Sequence, residues 1–178
     1  MLLRRWMRLD AGFHALAARA ILAVFFGAVC TLIVAGPILM SHSHVHAGVL
    51  CYLCFSPFCH QIPARSFFIL ERPLAVCHRC AGLYLGLFFG CFLKISWDGP
   101  LHKARRWIVL GACSPLLLDA LLPFAGLWQN TRASRFSTGL LLGCLISSLL
   151  AQGAAECLAR SSQRRFAASH PPIKGGVS

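Results

Sequence analysis

Cysteine and histidine crowd into one part of the chain: Cys51, Cys54, Cys59, His60, Cys77, His78 and Cys80. Thiolates three residues apart can reach one ion without straining the backbone. Two Cys-x-x-Cys pairs joined by a linker have the spacing of tetrahedral zinc sites. Cys59-His60 is an alternative ligand pair, which makes three sulfurs and one nitrogen a second donor set. Zinc is the expected metal, with iron and copper the other ions such donors take. The same spacing serves thiol–disulfide exchange, with Cys77 or Cys80 as the exchanging thiol. A Cys-x-x-Cys at a helix start has its thiolate favoured by unpaired backbone N–H groups and the helix dipole. Inert disulfides are the third reading, and the five clustered thiols would leave one over.

Further polar residues stand near this cluster. His42, His44 and His46 alternate, so an extended chain would set them on one face, as a metal-recruiting run or as a solvated loop. Gln61, Arg65 and Ser66 follow His60 and could donate hydrogen bonds to the cluster's ligands. Asp119 is the only acid well inside an apolar run, so it needs a cation or a proton. Arg79 and Arg135 lie nearest to it in depth. That pair reads either as a proton or ion relay, which would suit a small transporter, or as a structural ion pair. The remaining cysteines, Cys30, Cys91, Cys113, Cys144 and Cys157, sit singly in apolar runs and read as small hydrophobes.

These residues must be positioned by membrane-embedded elements. The chain has 178 residues, 57% hydrophobic and only 12% charged, with a mean hydropathy of +0.68. That is too apolar for a soluble domain. An all-α membrane bundle of four transmembrane helices is expected, with spans at 20–40, 74–95, 107–128 and 137–157. Residues 1–19 form a basic flank, 41–73 a long Cys/His-rich outer loop, and 159–178 a basic, disordered tail. Within the loop, residues 49–58 are apolar but too short to cross, and would form a half-buried or re-entrant cap. In the span from Leu74, Cys77 and Cys80 would lie one turn apart at the helix start. Gly82, Gly86 and Gly90 form a small-residue stripe, echoed by Gly139, Gly143 and Ser147. Such stripes let helices approach closely, within the chain or between copies in a homo-oligomer.

The net charge of +12 does not point to nucleic acid, because the basic residues flank apolar runs. Twelve Lys and Arg residues fall on the side of the termini and five on the other. The positive-inside rule then places both termini in the cytoplasm of a cell (inner) membrane protein, with the Cys/His cluster on the periplasmic or extracellular side. Four-helix membrane thiol oxidoreductases that reduce quinone share this plan. They carry a second thiol pair in the other outer loop, whereas residues 129–136 contain no Cys. That departure weakens the exchange reading. No phosphate-binding loop, nucleophile elbow or dinucleotide fingerprint occurs.

Several separated motifs occur in a recognisable order: Cys59-His60-Gln61-x-Pro63-x-Arg65-Ser66-Phe67, Cys77-x-Arg79-Cys80-x-Gly82-x-Tyr84-x-Gly86, Asp119 in a proline-containing run, and Arg135-x-x-Thr138-Gly139-x-x-x-Gly143. Over roughly residues 50–150 the chain resembles a family of small prokaryotic membrane proteins known as domain of unknown function 2085. The resemblance implies a multi-span membrane protein with Cys59, His60, Cys77 and Cys80 as its shared site. Asp119 and Arg135 are shared polar positions, and Tyr84 joins Gln61, Arg65 and Ser66 as a supporting residue. No activity comes with it. Cys51, Cys54 and the His42–His46 run lie outside the pattern. The leading expectation is therefore an outer-face Cys₃His zinc site above an Asp119–Arg135 pair.

Overall fold

The computed structural model describes residues 2–94, 100–122 and 130–169, with side chains described for 12–94, 130–162 and part of 103–122. Five helices and one hairpin follow in order: α1 (Leu2–Ser41), α2 (Val45–Phe55), β1 (Ser66–Ile69), β2 (Arg72–Cys77), α3 (His78–Gly90), α4 (Pro100–Leu121) and α5 (Arg132–Ser169). The chain is mostly helical, and the hairpin corrects the all-α expectation. Among the described residues, two helical stretches are long and apolar enough to cross a membrane, Gly12–Ser41 in α1 and Arg132–Ser162 in α5. Both expected terminal spans fall inside them. Helix α5 runs on to Ser169, past Arg160.

The expected helix over 74–95 is corrected. Residues 72–77 are a strand, and α3 covers only 13 residues. At 1.5 Å per residue that is about 20 Å, short of the roughly 30 Å hydrocarbon layer. Pro73 lacks an N–H and disfavours a helical Arg72 before it. The segment Arg72–Cys77 instead pairs antiparallel with β1, through Ser66↔Cys77, Phe68↔Pro73 and Ile69↔Arg72, with an irregularity in register between Ser66 and Phe68. The turn is the two residues Leu70 and Glu71, both with positive φ (49° and 62°). Hairpin turns of this kind favour glycine or asparagine, so neither residue announces it. Leu74, Ala75 and Val76 are buried, which holds the strand in place.

Strand and helix together run antiparallel to α1 along its length. The Ser41 hydroxyl reaches the Leu70 carbonyl at one end (3.5 Å), and the Arg19 guanidinium donates to the Leu93 carbonyl at the other (2.9 Å). Between them Phe26 packs with Leu87 and Cys91. Helix α2 also runs back beside α1, since Gly48 meets Met40 and Gly36 meets Tyr52 and Cys51.

The two small-residue stripes meet each other. Gly82, Gly86 and Gly90 of α3 lie against the carbonyls of Phe136, Leu140 and Cys144, while Gly139 and Gly143 of α5 lie against those of Arg79 and Leu83. The contacts advance together along both helices, so α3 and α5 are parallel and their N-termini lie side by side. Of the third expected span, α4 contains Pro115 and the backbone of Asp119. Pro123 and Trp128 lie outside the described residues.

A methyl group at Gly86 would run into the Leu140 carbonyl, whereas one at Gly153 meets nothing within 4 Å. Gly86→Ala should therefore cost about 1–3 kcal/mol through overpacking. Gly153→Ala should be neutral or gain up to about 1 kcal/mol from helix propensity. Thermal unfolding of the two variants in detergent checks this contrast.

Candidate thiol site

The site is assembled from two chain segments. Cys59 follows the turn that ends α2, while Cys77 ends β2 and caps α3, placing Cys80 in its first turn. The Sγ atoms of Cys59, Cys77 and Cys80 all lie within 4.8 Å of one another. The backbone N–H of Cys77 donates to the Cys59 sulfur at 3.2 Å. Sulfurs bound to one tetrahedral zinc at about 2.3 Å stand about 3.8 Å apart, a separation inside the limit within which the trio lies. At the cap of α3, Cys77 lies where first-turn amides and the helix dipole favour a negative sulfur. The trio is walled by Ile33, Phe55, Leu74, Ala75 and Val76, with Val29 and Tyr84 packed alongside. Ile33 is eight residues before the end of α1, about 12 Å down its axis. The thiols thus lie below the Ser41 end of the molecule rather than on its rim.

Gln61 holds the two segments together. Its backbone takes a positive φ of 49°, and its Nε2 donates to the carbonyls of Tyr52 (2.6 Å) and Ala75 (2.9 Å). It therefore ties the end of α2 to β2 on either side of Cys59. Tyr52, which the sequence reading did not single out, donates its hydroxyl to the Pro73 carbonyl. No local pattern marks Tyr52, because its role depends on a hairpin that is itself hidden. Ser66 is buried opposite Cys77, and its hydroxyl closes the Pro63–Arg65 turn on the Ile62 carbonyl (3.0 Å). Tyr84 packs edge-on to Phe55 (5.7 Å) beneath the sulfurs. Arg65 is exposed. An apolar cleft of about 280 Å³ adjoins these residues, lined among others by Met40, Tyr52, Leu53, Gln61 and Arg72.

Other expected site residues lie elsewhere. His60 is exposed, and its imidazole is not part of the converging group. Cys51 is buried against Gly36, and Cys54 is exposed on α2, so the first Cys-x-x-Cys does not join the second. His42, His44 and His46 do not form an extended run. A tight turn at Ser43 (φ 65°) separates α1 from α2, leaving all three exposed around it. His78 is buried (1% exposed) with neither ring nitrogen hydrogen-bonded. It lies edge-on to Phe67 at 4.3 Å and within electrostatic range of Arg132 and Arg135. Phe67 also packs on Phe136, so the hairpin is seated on the first turn of α5. Arg79 and Arg135 are half-buried at the adjoining N-termini of α3 and α5. The Asp119 side chain, and hence the expected Asp119–Arg135 pair, lies outside the described ones.

Long apolar helices beside a partly buried cluster of free thiols fit the class of membrane proteins with a thiol site. The predicted membrane protein family DUF2085 matches residues 59–149, a stretch that holds all three cysteines, and the chain belongs to that family. An uncharacterized protein of Methanocaldococcus jannaschii is 34% identical over 100 residues, covering 54% of this chain and 63% of the relative. An uncharacterized protein of Methanothermobacter thermautotrophicus is 30% identical over 89 residues, covering 50% of this chain and 80% of its own length. The chain thus spans somewhat less than two thirds of the first relative. No solved structure matches.

Gln61→Leu keeps the side-chain volume and strips the donors from two inward carbonyls. It should destabilise the protein by about 1–3 kcal/mol. It should also speed alkylation of Cys59, read by mass spectrometry of the folded protein.

Proposed function

We infer that this chain is an integral membrane protein whose Cys59, Cys77 and Cys80 thiolates bind a thiophilic metal ion, zinc before iron or copper. The observation that carries the reading is the convergence of three sulfurs from two segments, with the Cys77 amide already donating to one of them. An N–H···S bond of this kind stabilises a ligating thiolate and fixes its direction. With three protein sulfurs converging among the described residues, the ion keeps a fourth position for water, His60 or a substrate. An open position is the mark of a catalytic or exchanging site rather than a closed structural one. In this role Gln61 and Ser66 hold the loop, and Tyr84 supports the sulfurs from below.

We also place both termini in the cytoplasm and the hairpin on the periplasmic or extracellular side of a multi-pass inner-membrane protein. Support comes from the distribution of Lys and Arg. The antiparallel course of α1 and α3, with α5 parallel to α3, agrees with it by returning the basic ends of α1 and α5 to one side. Thiol–disulfide exchange at Cys77 and Cys80 is the second reading, favoured by the position of Cys77 at the cap of α3.

Elemental analysis of detergent-purified protein separates the two. The metal reading predicts about one zinc per chain. Content should fall by tenfold or more in Cys59→Ser, Cys77→Ser and Cys80→Ser, and stay unchanged in Cys54→Ser. Metal-free protein that instead forms trapped mixed disulfides through Cys77 would establish exchange and remove the metal reading.

A further inference from the structure

We propose that α2 is a half-membrane helix, inserted into the lipid leaflet on the Ser41 side of α1 with its outward face against acyl chains. Four observations carry this. First, α2 descends beside a span. Gly48 is level with Met40, and Cys51 and Tyr52 are level with Gly36, inside the Gly12–Ser41 stretch. Whatever medium surrounds that part of α1 surrounds α2 as well. Second, its length suits one leaflet. Eleven residues rise about 16 Å, roughly half the hydrocarbon thickness.

Third, the outward face is apolar. The helix Val45–Phe55 contains no charged residue. Leu50 is 62% exposed and Leu53 57%, and Phe58 just beyond is 74% exposed. Leu32 and Val34 in the neighbouring part of α1 are also exposed. A soluble surface rarely presents so many large apolar side chains together.

Fourth, three of the last four carbonyls of α2 are bonded within the protein. In water, the last carbonyls of a helix can bond to solvent; in lipid they must find partners in the protein. The Tyr52 carbonyl accepts from the Ser56 amide and from Gln61 Nε2. The Leu53 carbonyl accepts from the Ser56 amide and hydroxyl. The Phe55 carbonyl accepts from the amides of Phe58 and Cys59. At the upper end, by contrast, the exposed His42, His44, Glu71 and Arg72 gather where the hairpin tip meets Ser41, as a polar boundary should. The helix therefore lowers Cys59 into the membrane-embedded part of the protein. On the α5 side, Arg132 and Arg135 come down to the level of His78 and leave a polar flank there.

The test uses the full chain in lipid nanodiscs of phosphatidylcholine and phosphatidylglycerol. A benzophenone amino acid at Leu53 should, on irradiation, give a product heavier by one phospholipid, and the same probe at Arg65 should not. In the unmodified protein, Cys54 should label at least tenfold more slowly with a charged, membrane-impermeant maleimide than after unfolding in dodecyl sulfate. Crosslinking from Leu53 to a second copy of the chain, or labelling of Cys54 in nanodiscs as fast as in the unfolded protein, would overturn the proposal.

Discussion

The amide of Cys77 points at the sulfur of Cys59, and much of this half of the molecule serves to bring those two atoms together. Cys59 sits at the foot of one helix and Cys77 at the head of another, eighteen residues apart in sequence. A hairpin turns the chain around between them, and Gln61 ties its second strand to the end of α2. The thiols are therefore held by backbone geometry on both sides rather than by flexible loops. For the metal site proposed above, such support would keep the ligands near a productive arrangement before an ion arrives.

The helices below perform a different task. In lipid there is little hydrophobic force between apolar helices, so close packing must hold them. Facing glycines let the backbones of α3 and α5 meet directly. That contact fixes the head of α3, and with it Cys77 and Cys80. It also sets the arginines of α5 beside His78. One contact surface thus determines the rigidity of the thiol site and the electrostatics of its flank.

Much of this was legible in the residues. Apolar runs marked the two long helices, because a stretch of twenty or more such residues has few other uses. The glycine spacing marked a close helix contact, and its partner proved to be the other small-residue stripe. The motif order indicates the family and contains the three cysteines that converge. The hairpin was not legible. Leu70 and Glu71 adopt a turn conformation that their side chains disfavour, and Leu74–Val76 read equally well as the start of a buried helix. With that strand hidden, the sequence reads as one helix across the second span. Adjacency to Cys59 and the family motif both favour His60 as a ligand. The chain turns at Gln61, and the structure leaves that imidazole exposed.

X-ray absorption at the zinc edge of the purified, zinc-loaded protein tests the central claim most directly. The account predicts three sulfur neighbours at about 2.3 Å with one lighter atom. A shell of nitrogen and oxygen alone, or one unaltered by Cys77→Ser, would contradict it.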